Sequence, residues 1–182
     1  VYKRQNRNKV KIMLNTDGIL IRPATEAELP LLEELARRIW PDTYGKILTP
    51  GQIDYMIEMM YALPVVQKER AAGVAFDLIL DGEKPVGFLS YGPYKDEPPT
   101  MKLHKLYLDF GYHGRGIGSM ALQHAIAAAK RAGCRFLRLN VNKNNAAALR
   151  AYQRNGFYQA EAVKVDIGGG YFMDDYVMEV KL

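Results

Sequence analysis

From Ile19 onward the chain switches repeatedly between two hydrophobic periods, and the switches outline a fold. "ILIRPAT" is a short extended run that ends at Pro23. In "EAELPLLEELARRIW", Leu31, Leu32, Leu35, Ile39 and Trp40 recur at helical spacing with Glu33, Glu34, Arg37 and Arg38 opposite, the pattern of an amphipathic helix. "TPGQIDYMIEMMYAL" opens on Thr49, Pro50 and Gln52, a helix start with a side-chain cap and proline at the first helical position. Pro64 interrupts that helix, and "VVQKERAAG" predicts a further short helical piece.

Beyond it the period drops to two. "VAFDLIL", the turn "DGEK" and "PVGFLSYG" predict an antiparallel hairpin, and "TMKLHKLYLDF" is another extended run after Pro98 and Pro99. A helix follows with Leu122, Ala125, Ile126 and Ala129 on one face, ended by Gly133. "CRFLRLNV" alternates as a strand, "NNAAALRAYQRN" is helical up to Gly156, and "FYQAEAVKVDI", "GGG" and "YFMDDYVMEVKL" form a closing hairpin. The order predicts one α/β (α+β) domain without internal repeats.

Composition narrows this picture. With 182 residues, 48% of them hydrophobic, the chain can fill one core. The net charge of +5 is concentrated at the start, where residues 1–18 hold Lys3, Arg4, Arg7, Lys9 and Lys11 against Asp17 alone. That segment lacks periodicity and reads as a tail, disordered or foreign to the protein, so the domain is placed at 19–182. The remainder is nearly balanced and shows no basic stripe interleaved with aromatics, so no nucleic-acid partner is expected. The lone cysteine, Cys134, allows no internal disulfide and no multi-cysteine zinc site, and it reads as a small core residue after a helix. No apolar run approaches a membrane span or a signal-peptide core, so a cytoplasmic protein without a membrane partner is expected.

The chemistry centres on "GYHGRGIGSMA", residues 111–121, which joins a predicted strand to a predicted helix. A Walker A loop needs Lys and Ser/Thr where Ile117 and Gly118 stand. A dinucleotide fingerprint needs a ribose-binding acid near position 140, which is Asn140. Glycines here can also serve only a sharp turn.

A third reading draws on more of the chain. "LYLDFGYHGRGIGSMAL" resembles motif A of the GNAT superfamily of acyl-CoA-dependent N-acetyltransferases, with His113 where that family has Gln or Arg. "LNVNKNNAAALRAYQRNGF" resembles the family's second signature at Asn145, Ala148, Tyr152, Gly156 and Phe157. The resemblance spans about residues 19–182 and implies the GNAT fold, a mixed, mostly antiparallel sheet of about seven strands flanked by helices. It implies acetyl-CoA as cosubstrate, no metal, and a small-molecule amine as partner; a homodimer is compatible with it.

Site residues follow from the resemblance together with simple chemistry. The loop His113, Gly114, Arg115, Gly116, Ile117, Gly118 and Ser119 would hold the CoA pyrophosphate on backbone amides at a helix start, with Arg115 adding charge at the rim. The backbones of Leu106 and Leu108 would meet the pantetheine arm, Asn145 its end, and Arg154 either the nucleotide phosphate or solvent. Tyr152, two helical turns from Asn145, would protonate the departing thiolate, the alternative being a packed core tyrosine. His104, placed by alternation on the face of Leu106 and Leu108, is either the base that deprotonates the amine, with a pKa near ~6.5, or a half-buried strand residue. Trp40, Tyr44 and Tyr171, with acids such as Asp42, Glu58, Asp174 and Asp175 nearby, are expected to line the acceptor pocket, which would suit a polyamine-like cation, the alternative being an ordinary packed helix surface. The alternatives are a protein N-terminal or lysine acetyltransferase, and a non-catalytic acyl-CoA sensor.

Overall fold

The computed structural model describes residues 16–94 and 97–182; of the expected tail, residues 1–15 lie outside the described residues. The strands are β1 (Ile19–Pro23), β2 (Ala75–Asp81), β3 (Lys84–Tyr94), β4 (Thr100–Leu108), β5 (Phe136–Asn142), β6 (Tyr158–Gly168) and β7 (Tyr171–Lys181). The helices are α1 (Pro30–Tyr44), α2 (Pro50–Tyr61), α3 (Leu63–Ala71), α4 (Ile117–Arg131) and α5 (Ala146–Arg154). One seven-stranded sheet runs in the order β1-β2-β3-β4-β5-β7-β6. All its pairings are antiparallel except β4 with β5.

Helix starts follow local chemistry. Thr25 and Glu28 form a capping box just ahead of α1, whose second device is Pro30 at its first position. The Thr49 hydroxyl accepts from the Gln52 backbone N–H at 3.2 Å and starts α2 as its sequence predicts. Ala62 turns extended, with ψ of 133°, and Pro64 near the start of α3 keeps the two helices apart. α1 runs past Trp40, through Pro41, to Tyr44.

The sheet separates two cores. On one face α1, α2 and α3 bury Leu32, Leu35, Ile39, Trp40, Ile57, Tyr61 and Val66 against Phe76, Leu78 and Phe88. On the other, α4 packs Ile117, Ala121, Leu122, Ala125 and Ala129 against Ile79, Leu89, Leu103 and Leu139. Each fully buried Leu or Ile stabilises this arrangement by roughly 1.5–3 kcal/mol. On the α4 face the buried Asp77 carboxylate accepts from the Tyr91 hydroxyl and from His124 Nε2, each at 2.8 Å, which fixes His124 far from the loop chemistry. Cys134 is a free thiol in the turn after α4 and packs at the margin of that core. Among the described residues no helix is long and apolar enough to cross a membrane.

The feature that positions the site is a divergence in mid-sheet. β4 and β5 pair only from Thr100 with Phe136 to Leu103 with Leu139. One residue further, β4 carries a bulge: Leu103 pairs with Tyr91 and Lys105 with Ser90, so His104 is the extra residue. A bulge bends its strand and interrupts the ladder, and here β4 leaves β5 at that point.

Candidate active site

Past the bulge β4 stays paired with β3, Leu106 opposite Leu89 and Leu108 opposite Gly87. The Asp109 N–H bonds the Val86 carbonyl at 2.8 Å, which fixes the phase of the ladder. Antiparallel pairs alternate, so Tyr107 bonds β3 while the peptide groups of Leu106 and Leu108 face the gap left by β5. The gap therefore offers main-chain donors and acceptors, as the resemblance implies. One of them is taken: His113 Nε2 donates to the Leu108 carbonyl at 2.9 Å. The histidine in the family's Gln/Arg position thus ties the loop back to β4.

The loop leads from β4 into α4. Gly114 and Gly116 have φ of 75° and 86°, and Gly116 caps α4 in the left-handed region with no side-chain cap. The first-turn amides of Ile117, Gly118 and Ser119 have no acceptor within the helix, and they sit at the positive end of its dipole. A Cβ built on Gly114 or Gly118 meets nothing within 4 Å, and both glycines line a cavity of about 760 Å³. For Gly118, whose φ is ordinary, neither backbone nor packing demands glycine; open space in front of uncapped amides is what a phosphate needs. The loop fits the CoA pyrophosphate. Ile117 is fully buried and offers only its amide; one expectation changes, since Arg115 lies 4.9 Å over the Tyr112 ring, outside the cavity lining.

α5 forms the opposite wall and buries none of its residues fully, because its inner face borders the cavity. Asn145 caps it, its Oδ1 accepting from the Ala148 N–H at 3.1 Å, which leaves both amide N–H donors for a ligand. Asn155 at the other end donates to the Ser119 hydroxyl at 3.0 Å and ties α5 to the start of α4. Arg154 lines the cavity. Tyr152 lines it too, its ring 5.8 Å from that of Phe157. Burial pushes the Tyr152 phenol up to about 12, so it stays protonated and can donate.

A second cavity, of about 330 Å³, lies on the other face of the sheet beneath α1 and α2. Tyr44, His104, Lys105, Tyr107 and Asn140 line both cavities, so the two meet through the divergence of β4 and β5. The Tyr44 and Tyr107 hydroxyls are 3.3 Å apart at that junction, and burial raises both phenols well above their usual range. Trp40 lines the second cavity as expected; Tyr171 does not line either one, because it packs on Tyr55 at 5.2 Å at the β6–β7 turn. Asp42 and Glu58 are exposed, and Asp174 pairs with Lys143. Lys102, Lys105, Tyr107, Asn140 and the buried Asp175 complete the wall, and of these only Asp175 stood out in the sequence.

His104 is not where simple alternation puts it. The bulge leaves Leu103 and Leu106 on the α4 face and takes His104 out of it, to the junction of the cavities. Its ring reaches solvent, but the surrounding protein, then Lys105 and Lys102, lower its pKa to about 4. The expected value near ~6.5 for an ordinary histidine does not hold at this position. Among the described residues no cluster of three or more His, Cys, Asp or Glu is placed to hold a metal ion.

A divergent sheet with an anion-binding loop at its mouth and cavities on both faces is the architecture of an acyl-CoA-dependent N-acetyltransferase. The acetyltransferase (GNAT) family model matches residues 31–157, and the chain belongs to that family. It is 27% identical over 169 residues to the spermidine N(1)-acetyltransferase of Thermoplasma acidophilum, 90% of this chain and 98% of that one. To an uncharacterized N-acetyltransferase of Methanocaldococcus jannaschii it is 34% identical over 85 residues, 44% of this chain but only 38% of that relative's length. The crystal structure of the PaiA N-acetyltransferase of Thermoplasma acidophilum in complex with coenzyme A matches with a TM-score of 0.75 at 25% identity, covering 90% of this chain and 99% of that one.

Proposed function

We propose that the protein transfers acetyl from acetyl-CoA directly to a primary amine of a small, polyamine-like molecule. The observation that carries this reading is the pair of cavities that meet between β4 and β5, with Tyr152 on one side and an aromatic, acid-containing pocket on the other. The loop amides hold the pyrophosphate; the Leu106 peptide, the Leu108 N–H and the Asn145 amide direct the pantetheine arm through the gap. Tyr152 supplies a proton to the thiolate as it leaves. No residue is needed to carry the acyl group, and Cys134 lines neither cavity.

Charge refines the acceptor. Glu69 is spent on Lys105 at 2.6 Å, and Lys102 stands near Asp175, so the pocket is close to neutral rather than a trap for polycations. Aromatic walls and one acid recognise one ammonium group at a time. Spermidine is the first acceptor to try because a relative that aligns over 90% of this chain is named for it.

The test is a panel of amines with acetyl-CoA, read as free thiol, including spermidine, monoamines, and peptides with free N-termini or lysine. Thiol release with small amines is expected. Turnover of peptides alone would make it a protein acetyltransferase, and acetyl-CoA binding with no turnover would make it a sensor.

A further inference from the structure

We propose that Asp175 is the group that receives the acceptor's ammonium in the second cavity and takes the proton it must shed before the nitrogen can attack. This rests on the reading above that the second cavity holds an amine.

Asp175 sits on β7 opposite Asn142 and is 4% exposed, in the cavity floor. Asn140 neighbours it and lowers its pKa, and among the described residues no salt bridge joins it to a lysine or arginine. The other acid in this wall, Glu69, is held by Lys105. Trp40, Tyr61 and Tyr107 give the same cavity an aromatic wall. The cavity that holds Asp175 meets the one that Tyr152 lines, and Tyr44 lines both. Asn140 lines both cavities.

His104 is the rival, and charge disfavours it. It is uncharged at neutral pH and offers an ammonium no counter-charge. Asp175 carries the charge that attracts one.

In the step, the bound ammonium first gives one proton to the Asp175 carboxylate, which passes it to solvent; the neutral amine's lone pair then forms the C–N bond at the thioester carbonyl, and the nitrogen's second proton passes to Asp175. The C–S bond breaks, and the thiolate takes a proton from Tyr152. Asp175 then loses its proton to solvent and Tyr152 regains one. A base must be ionised to act, so the rate falls as pH drops through the Asp175 pKa. Burial first, and Asp174 next to it on β7, raise that pKa; Asn140, Lys102 of β4 and Lys143 after β5 oppose the rise. The remaining charged groups around the cavity, Glu69 of α3 with Lys105 of β4, neutralise each other, and Lys164 of β6 lies over Phe172.

The experiment uses the whole chain with spermidine, or the best amine of the panel. Asp175→Asn is expected to lower kcat/KM by about 10²-fold or more, as removal of a base does, to flatten the acidic limb, and to leave acetyl-CoA affinity unchanged. Asp175→Glu should restore part of the rate. Asp174→Asn, whose side chain pairs with Lys143, should keep the plateau rate and move the limb to lower pH. Calorimetry of the amine with the CoA-bound protein should show binding that Asp175→Asn abolishes. If Asp175→Asn misfolds, the limb shift in Asp174→Asn decides: an unmoved limb overturns the assignment. So does Asp175→Asn within threefold of the parent rate. A parent protein that binds acetyl-CoA but neither binds nor acetylates any amine overturns the underlying reading, and the assignment with it.

Discussion

Replacing Gly118 by alanine should make the protein more stable and its acetyl-CoA binding weaker, two effects of opposite sign from one methyl group. Gly118 is the second residue of α4, its φ is ordinary, and a Cβ there meets no atom within 4 Å. Alanine in a helix interior is worth about 1 kcal/mol over glycine, and roughly half of that is a fair expectation at the second position. In a chain of this size such a gain raises Tm by ~1–2 °C. The same methyl enters the open space beside Gly118, which lines the first cavity where the phosphate is placed. Displacing one charge-assisted hydrogen bond to phosphate costs about 1.5–3 kcal/mol, or roughly 10- to 150-fold in affinity. Gly116 makes a poorer test because its φ of 86° strains any side chain and mixes folding with binding. Thermal melts without ligand and calorimetry with acetyl-CoA read the two effects separately. Affinity within about twofold of the parent would refute the loop as the phosphate site, and a lowered Tm would refute the open space at Gly118.

Tyr152→Phe should lower kcat by about 10²-fold with acetyl-CoA affinity unchanged, and a kcat within a factor of about two would show that water or another group donates the proton. Because Tyr152 titrates only near 12, it should add no basic limb to the rate profile below pH ~10. His104, with its pKa lowered to about 4, is neutral throughout the ordinary assay range. His104→Gln should therefore leave the shape of the profile between about pH 6 and 9 intact, and loss of a limb near ~6.5 would return His104 to the role of base.

The element order was legible in the sequence because periodicity changes at each boundary and because Thr49, Pro64, Gly133 and Gly156 punctuate it. The nucleotide side was legible for a related reason: its residues are consecutive, and uncapped amides behind glycines are a local device. The acceptor side was not. A single inserted residue, His104, inverts the parity of β4, so counting by twos assigns it the wrong face. Asp174 and Asp175 are neighbours in the chain, and only the pairing of β7 with β5 decides which one enters the cavity. Lys102, Lys105 and Tyr107 look like ordinary strand residues until α1 and α2 close over them. Tyr171 had the right chemistry but stands at the tip of the hairpin, against Tyr55 rather than beside a cavity.

The central claim is that the acyl donor lies between β4 and β5 with its phosphates on the start of α4. Amide hydrogen exchange with and without acetyl-CoA tests it directly. Slower exchange at Leu106, Leu108, Ile117, Gly118 and Ser119, with β1 and β2 unchanged, is the predicted result. Protection confined to other elements, or none on α4 at saturating acetyl-CoA, would contradict it.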